Sequence, residues 1–162
     1  GVIPYRIGQG EALMRNGQVS AALDEFSVAV SLFPRNVPLT ISYAEALIVA
    51  GEPAAAHELL LDLLNNVPPT PEQIRLIARA ANAEGDVGNA HFYMAEYYVS
   101  IGSGPLAINQ LRMALESPNV NSVDRARIEA RLKQIRELMP EGQRRREPET
   151  PDEQQFARIA PR

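Results

Sequence analysis

Cysteine is absent from this chain, which excludes disulfides, thiol chemistry and cysteine–zinc sites without choosing a compartment. No apolar run approaches the ~20 residues that cross a bilayer, so direct membrane insertion is not expected. Apolar runs such as Leu59, Leu60 and Leu61 with Leu63 and Leu64 fall far short of it. A charged leader, apolar core and cleavage site are also lacking at the start. The chain opens mid-pattern at Gly1-Val2-Ile3-Pro4, and is expected to be a fragment whose targeting signal lies upstream.

Basic excess is lacking too. The net charge of −4 argues against a nucleic-acid binder. Residues 1–102 carry 5 Arg against 11 acids, whereas residues 103–139 carry 6 Lys or Arg against 4 acids. There are only two histidines, His57 and His91. His57-Glu58 begins like HExxH, but Leu61 stands where the second histidine would be, and Ala95 stands four after His91. GxSxG, Walker and dinucleotide-binding patterns do not occur, and Gly102-Ser103-Gly104 is too short to cradle a phosphate. Catalysis, a metal ligand set and a cofactor are therefore not expected in this chain.

What the chain has is a ladder of turns. Gly17, Pro34, Gly51, Pro68, Gly85 and Gly102 fall at a strict 17-residue step. Between them the apolar residues recur with helical period and almost no alternation. Small or packing residues at Gly10, Leu13, Ala22, Phe26 and Ala29 return 34 positions later as Ala44, Leu47, Ala56, Leu60 and Leu63. The small ones let paired helices approach, and the large ones fill the space between. Two helices per ~34 residues, with Gly at the inner turn and Pro after the second helix, resemble the tetratricopeptide repeat.

Residues 1–139 are accordingly expected to be an all-α tetratricopeptide-repeat superhelix, an α-solenoid of about eight helices. The helices are predicted at 3–15, 19–32, 38–50, 53–65, 71–84, 87–101, 105–116 and 122–138. Thr70-Pro71-Glu72-Gln73 reads as a capping box with Pro at the first helical position. Glu52-Pro53 starts a helix similarly, and Ser103 offers a hydroxyl cap before Gly104-Pro105.

The stretch His91-Phe92-Tyr93-Met94-Ala95-Glu96-Tyr97-Tyr98 holds four of the nine aromatic residues. They spread around most of a helical cylinder, as expected of a helix with neighbours on most sides. Here the ladder slips in phase. Counted from Gly85 this helix closes a third repeat; counted from Gly102 it opens a fourth. Ala95 and Tyr98 then match Gly10 and Leu13, and Ala107, Leu111 and Ala114 match Ala22, Phe26 and Ala29.

Residues 122–138 form a charged amphipathic helix with apolar positions Val123, Ala126, Ala130, Ile135 and Leu138, and Ile128 and Leu132 nearby. A terminal helix polar on its outer face lets a solenoid end in water, so its arginines are expected to be a solvated capping face. Residues 140–162 turn to Pro, Arg, Glu and Gln, with 5 basic and 5 acidic residues and no aromatic interleaving. A solvated linker fits this better than a nucleic-acid patch. Within it Thr150-Pro151-Asp152-Glu153 is a second capping box, so a short helix is expected at 151–160. Its Phe156 and Ile159 share one face and are expected to dock on their own or a neighbouring chain, a route to self-association.

A stack of helix pairs offers an extended concave surface to proteins or peptides. In tetratricopeptide stacks the first helix of each pair lines it. In this register the lining is Ile7, Glu11 and Met14, then Ile41, Glu45 and Ile48. Arg75, Arg79 and Asn82 follow by the count from Gly85; Phe92, Glu96 and Val99 follow by the count from Gly102. Glutamate recurs at Glu11, Glu45 and Glu96, which equally suits an ordinary exposed helix former. Repeats that hold the carboxylate tails of cytosolic chaperones use Lys and Asn where Ile7 and Glu11 stand, so that mode is not expected. The apolar and acidic lining suits an extended or helical segment with apolar anchors and some basic residues, with Arg75 and Arg79 a local positive site.

Residues 78–138 resemble the C-terminal region of the BepA/YfgC-like periplasmic metallopeptidases. The resemblance is carried by ARAANAEGDVGNAHFYMAEYYVSIGSGPLAINQLRMALES and the charged run SVDRARIEARLKQIREL. The earlier segments GQVSAALDEFSVAVSLFPRN and GEPAAAHELLLDLL are general repeat sequence. The resemblance implies a periplasmic parent with a zinc protease domain absent from this chain, whose repeats contact outer-membrane proteins or their assembly machinery. The tail after Pro140 departs from that pattern. The alternative is an independent tetratricopeptide scaffold organising a multiprotein complex.

Overall fold

In a computed structural model the described residues are 1–140. The expected helix at 151–160, with Phe156 and Ile159, lies outside them. Eight helices follow in order: α1 Val2–Arg15, α2 Val19–Leu32, α3 Val37–Ala50, α4 Pro53–Asn66, α5 Pro71–Glu84, α6 Val87–Ser100, α7 Gly104–Glu116 and α8 Ser122–Leu138. Each predicted boundary lies within one residue of its helix.

The turns repeat because their chemistry does. Gly17, Gly51, Gly85 and Gly102 all have positive φ, between 73° and 92°. The left-handed conformation costs glycine least. In each case the residue after the glycine donates its N–H to a carbonyl in the last turn: Gln18 to Leu13, Glu52 to Leu47, Asp86 to Ala81 and Ser103 to Tyr98. This bond is one that closes a helix C-terminus. The first three acceptors are 34 residues apart and the fourth comes after only 17, so the slip in phase is written in the backbone.

N-termini follow the same logic. Asn36 accepts from the Leu39 N–H and Thr70 from Gln73, with the Gln73 side chain accepting from the Thr70 N–H. Ser103 stands at the cap of α7, but its hydroxyl makes no capping bond. Its φ of −101° and ψ of 75° depart from the extended conformation that usual caps adopt. Glu52 likewise caps α4 by position alone.

Outside neighbouring helices, substantial helix–helix contacts run between α1 and α3 and between α3 and α5. α1, α3 and α5 thus stack side by side, as in a solenoid. The core comes in three parts. One is centred on Phe26 and Leu39, one on Leu47, Leu60 and Ile77, and one on Ile108, Leu111 and Ile128. Gly10, Ala22, Ala44 and Ala56 are buried where helices touch. α6 packs along both α5 and α7 more extensively than any other pair of helices packs.

The end of the stack differs from expectation. α8 buries Ile128, Leu132 and Ile135, continued by Met139, whereas Val123 and Leu138 are about three-quarters exposed at 75% and 77% and Ala126 and Ala130 are exposed. The inward stripe therefore steps by four, three and four residues, one face of a helix. Nor is the arginine face wholly solvated. The Arg131 guanidinium donates through Nε and Nη2 to the two Glu96 carboxylate oxygens at 2.7 and 2.8 Å. Arg127 lies over the Phe92 ring, 4.2 Å from its centroid, and donates to Asn89. These contacts fasten α8 to α6.

Candidate functional site

A recess of about 630 Å³ opens across α3, α5, α6 and α7. α3 contributes Ile41 and Glu45. Most of the wall is α5, with Gln73, Arg75, Leu76, Ala78, Arg79 and Asn82. Ala90, His91 and Met94 of α6 and Gln110 of α7 close the far side, and Thr70 and Glu72 stand at the start of α5.

The α5 wall arises from its spacing. Arg75, Arg79 and Asn82 recur at four and three residues and are exposed on one face, while Ile74, Ile77 and Ala81 are buried on another. Arg75 is held in place: it sits 5.6 Å from the Tyr97 ring centroid and 3.4 Å from the Glu72 carboxylate. Arg79 and Glu45 are exposed and have no hydrogen bond or ion pair among the described residues. His91 Nδ1 lies 2.8 Å from Gln110 Oε1, which ties α6 to α7 at the edge of the recess.

Five of the residues predicted to line a binding surface meet here: Ile41, Glu45, Arg75, Arg79 and Asn82. Ile7 and Met14 are half-buried against the first core cluster, Glu11 is exposed on α1, and Ile48 packs on the second cluster. Phe92, Glu96 and Val99 turn elsewhere. Phe92 and Glu96 engage Arg127 and Arg131 of α8, and Val99 packs on the third cluster. The count from Gly102 ignored α8, whose guanidinium groups claim that face.

Sequence reasoning missed Ala90, His91, Met94 and Gln110. A signal was available. Adding 34 to Ala56 and Leu60 gives Ala90 and Met94, positions that pack the inside of earlier repeats. In those repeats Phe26 and Leu60 are 1% exposed, whereas Met94 is only half-buried and lines the recess. The aromatics around it are mainly packing: Tyr93 meets the edge of His57 at 5.8 Å and Tyr98 packs on the third cluster.

Catalytic furniture is not assembled around His57. Its Nδ1 lies 2.9 Å from Glu84 Oε2, and since a carboxylate only accepts, Nδ1 carries the hydrogen. Among the described residues no three His, Cys, Asp or Glu come together in a metal-binding group, and no helix is long and apolar enough to cross a membrane.

Comparison with known proteins matches residues 13–80 to the tetratricopeptide repeat family. Among solved structures, the crystal structure of MamA protein is similar at 15% identity with a TM-score of 0.46, covering 70% of this chain and 72% of that one. No curated protein sequence matches. The matched repeat barely overlaps residues 78–138, where the metallopeptidase resemblance lies. The paired helices and the 34-residue recurrence of the turn bonds make the described residues an all-α solenoid, and within it residues 13–80 match the tetratricopeptide repeat.

Proposed function

We propose that the recess across α3, α5, α6 and α7 holds an extended segment of a partner protein. The observation that carries this reading is the pairing of an apolar floor with exposed charges that have no protein partner among the described residues. Ile41, Leu76, Ala90 and Met94 offer anchoring surface, and Glu45 and Arg79 stand beside them without partners among the described residues. A peptide brings both kinds of group along one chain, and an open groove lets it enter from the side. The test is selection of peptide ligands from a random library on the immobilised chain. The binders are then measured on wild type and on the Arg75→Glu/Arg79→Glu double variant. Reversal turns attraction into repulsion at two exposed positions, so affinity is expected to change about tenfold. Unchanged affinity rejects the site.

The resemblance of residues 78–138 supports a finer reading. We propose that the repeats serve a periplasmic zinc metallopeptidase, recruiting outer-membrane proteins or the barrel-assembly machinery, with the zinc in the separate protease domain. Sequencing the reading frame upstream of Gly1 tests this: a signal peptide and an HExxH helix are expected. A start codon immediately before Gly1 sinks it and leaves the independent scaffold. Self-association through Phe156 and Ile159 is a separate proposal, rejected if truncation after Pro140 leaves the mass in solution at the same multiple of the chain.

A further inference from the structure

The two ends of the stack are finished differently. At one end α8 turns largely charged residues outward and an apolar stripe inward, as a solenoid cap should. At the other end α1 and α2 leave Val2, Tyr5, Val28 and Leu32 more than half exposed. These four lie together. Arg6 of α1 bonds Glu25 of α2 at 2.7 Å. Val2 sits one turn before Arg6, and Val28 and Leu32 one and two turns after Glu25, which in antiparallel helices is the same direction. Tyr5 follows Val2 by three residues, on the same face.

The repeats show what such a face receives. On α3, Leu39, Tyr43 and Ala46 pack in the first core cluster with Ala22, Phe26 and Ala29 of α2. On α5, Ile77 and Ala80, the counterparts of Tyr43 and Ala46, pack in the second with Ala56 and Leu60 of α4. One repeat earlier, on α1, the same positions are Tyr5, Gln9 and Ala12. Leu39 is 0% exposed but Tyr5 is 70% exposed, Gln9 is exposed, and Ala12 is half-buried where Ala46 is buried. On α2, Val28 and Leu32 stand where α4 has exposed Asp62 and Asn66. α1 thus keeps the receiving face and α2 gives it an apolar flank, and no helix among the described residues covers it.

We infer that this face carries a further amphipathic helix, seated on α1 as α2 is on α3 and supplied by the reading frame ahead of Gly1. Continuity with the two interfaces already in the stack defines the occupant. Both covering helices set a small residue, a large apolar one four on, and a small or aliphatic one three further: Ala22, Phe26, Ala29 and Ala56, Leu60, Leu63. The small residue lets the axes approach and the large one fills the space between. One 34-residue repeat back from Ala22, Phe26 and Ala29 places these residues thirteen, nine and six positions ahead of Gly1. The tail lacks the pattern, since four residues before Phe156 stands Asp152. On α8 of a second copy, the exposed Val123 and Leu138 are fifteen residues apart, about 22 Å along a helix, too far to form one such stripe. The inference is independent of the recess and requires no protease domain.

The test lengthens the chain through its own reading frame by one repeat, about 34 residues. Nitration by tetranitromethane, read by mass spectrometry, reports access to Tyr5. In the chain from Gly1, Tyr5 should be nitrated readily; in the lengthened chain its nitration should be lost, and Tm should rise by about 5 °C. Tyr5→Asp should leave the chain from Gly1 within about 2 °C of wild type, because the residue is exposed, yet remove the gain in the lengthened chain. Equal nitration with an unchanged Tm overturns the inference. So does a start codon immediately before Gly1, or an upstream segment without the small–large–small spacing. Protection of Tyr5 that grows with the concentration of the chain from Gly1 makes a second copy the occupant, and protection lost on truncation after Pro140 makes it the tail; either overturns the upstream helix. An HExxH segment without the spaced helix leaves the metallopeptidase reading and removes this one, and the spaced helix without HExxH does the reverse.

Discussion

Gly10 faces the Phe26 ring so closely that a β-carbon at position 10 would lie 2.4 Å from Cζ and 2.6 and 2.7 Å from the two ε carbons. The ring is 1% exposed and stacked with Tyr43 at 6.1 Å between centroids, so it has little room to retreat. Gly8, two residues earlier in α1, is exposed and has nothing within 4 Å of its β position. Alanine should therefore act with opposite sign at two glycines of one helix. Gly8→Ala is expected to stabilise by about 0.5–1 kcal/mol through helix propensity. Gly10→Ala gains the same propensity but overpacks the core, a cost of about 1–3 kcal/mol, so a net loss is expected. Urea melts of the two variants check both signs.

The two hydroxyl caps should also part company. Thr70 closes a reciprocal capping box with Gln73, and Thr70→Ala is expected to cost about 1 kcal/mol. Ser103 makes no capping bond, so Ser103→Ala should stay within about 0.5 kcal/mol of wild type. Thermal melts that lower both equally would contradict this difference.

The fold was readable because its punctuation is chemical. Positive-φ glycines, Pro at first helical positions and small residues at helix crossings are local requirements, and each appears as a residue type at a fixed interval. The surface of α6 was less readable. Which neighbour receives Phe92 and Glu96 depends on where α8 docks, and a count of repeats contains no term for Arg127 and Arg131. The inward face of α8 was obscured for a related reason. Val123, Ala126 and Ala130 are apolar in sequence, yet the stripe through Ile128, Leu132, Ile135 and Met139 is the one that meets the third cluster. Of the recess, the α3 and α5 walls follow from the period, while the α6 wall follows only once Ala90 and Met94 are counted from Gly85.

The fork between Glu96 and Arg131 should hold α8 to α6. Both side chains are about three-quarters shielded, with 27% and 24% exposure. A double-mutant cycle with alanine at each is expected to give a coupling of about 1 kcal/mol at low salt, shrinking at high salt. Arg131→Lys should recover only part of it, because an ammonium cannot make the two parallel bonds. A coupling indistinguishable from zero would mean that the apolar stripe alone docks α8.

Alkaline stability should report on Tyr93. Burial pushes its phenol above the usual 10.0; Arg127 draws it back, and Asp86 and Asp124 add to the rise. The unfolded chain therefore ionises first. The contribution is present in full below pH 10 and is lost as pH rises through the folded-state value. Tyr93→Phe should remove this loss. The stability difference between wild type and variant is expected to be level from neutral pH to about 9 and to move against wild type above 10. Denaturant melts across that range check it, and a level difference throughout would contradict it.

The central claim is that partner segments lie in the recess of α3, α5, α6 and α7. Amide chemical-shift mapping of the labelled chain, titrated with a library-selected peptide, tests it most directly. Shifts are expected to concentrate at Ile41 to Glu45, Gln73 to Asn82 and Ala90 to Met94, with little change around Val30 on α2, Arg35 between α2 and α3, and Asp62 on α4. Shifts centred on those latter residues, or along the exposed Val123 and Leu138 of α8, would contradict it.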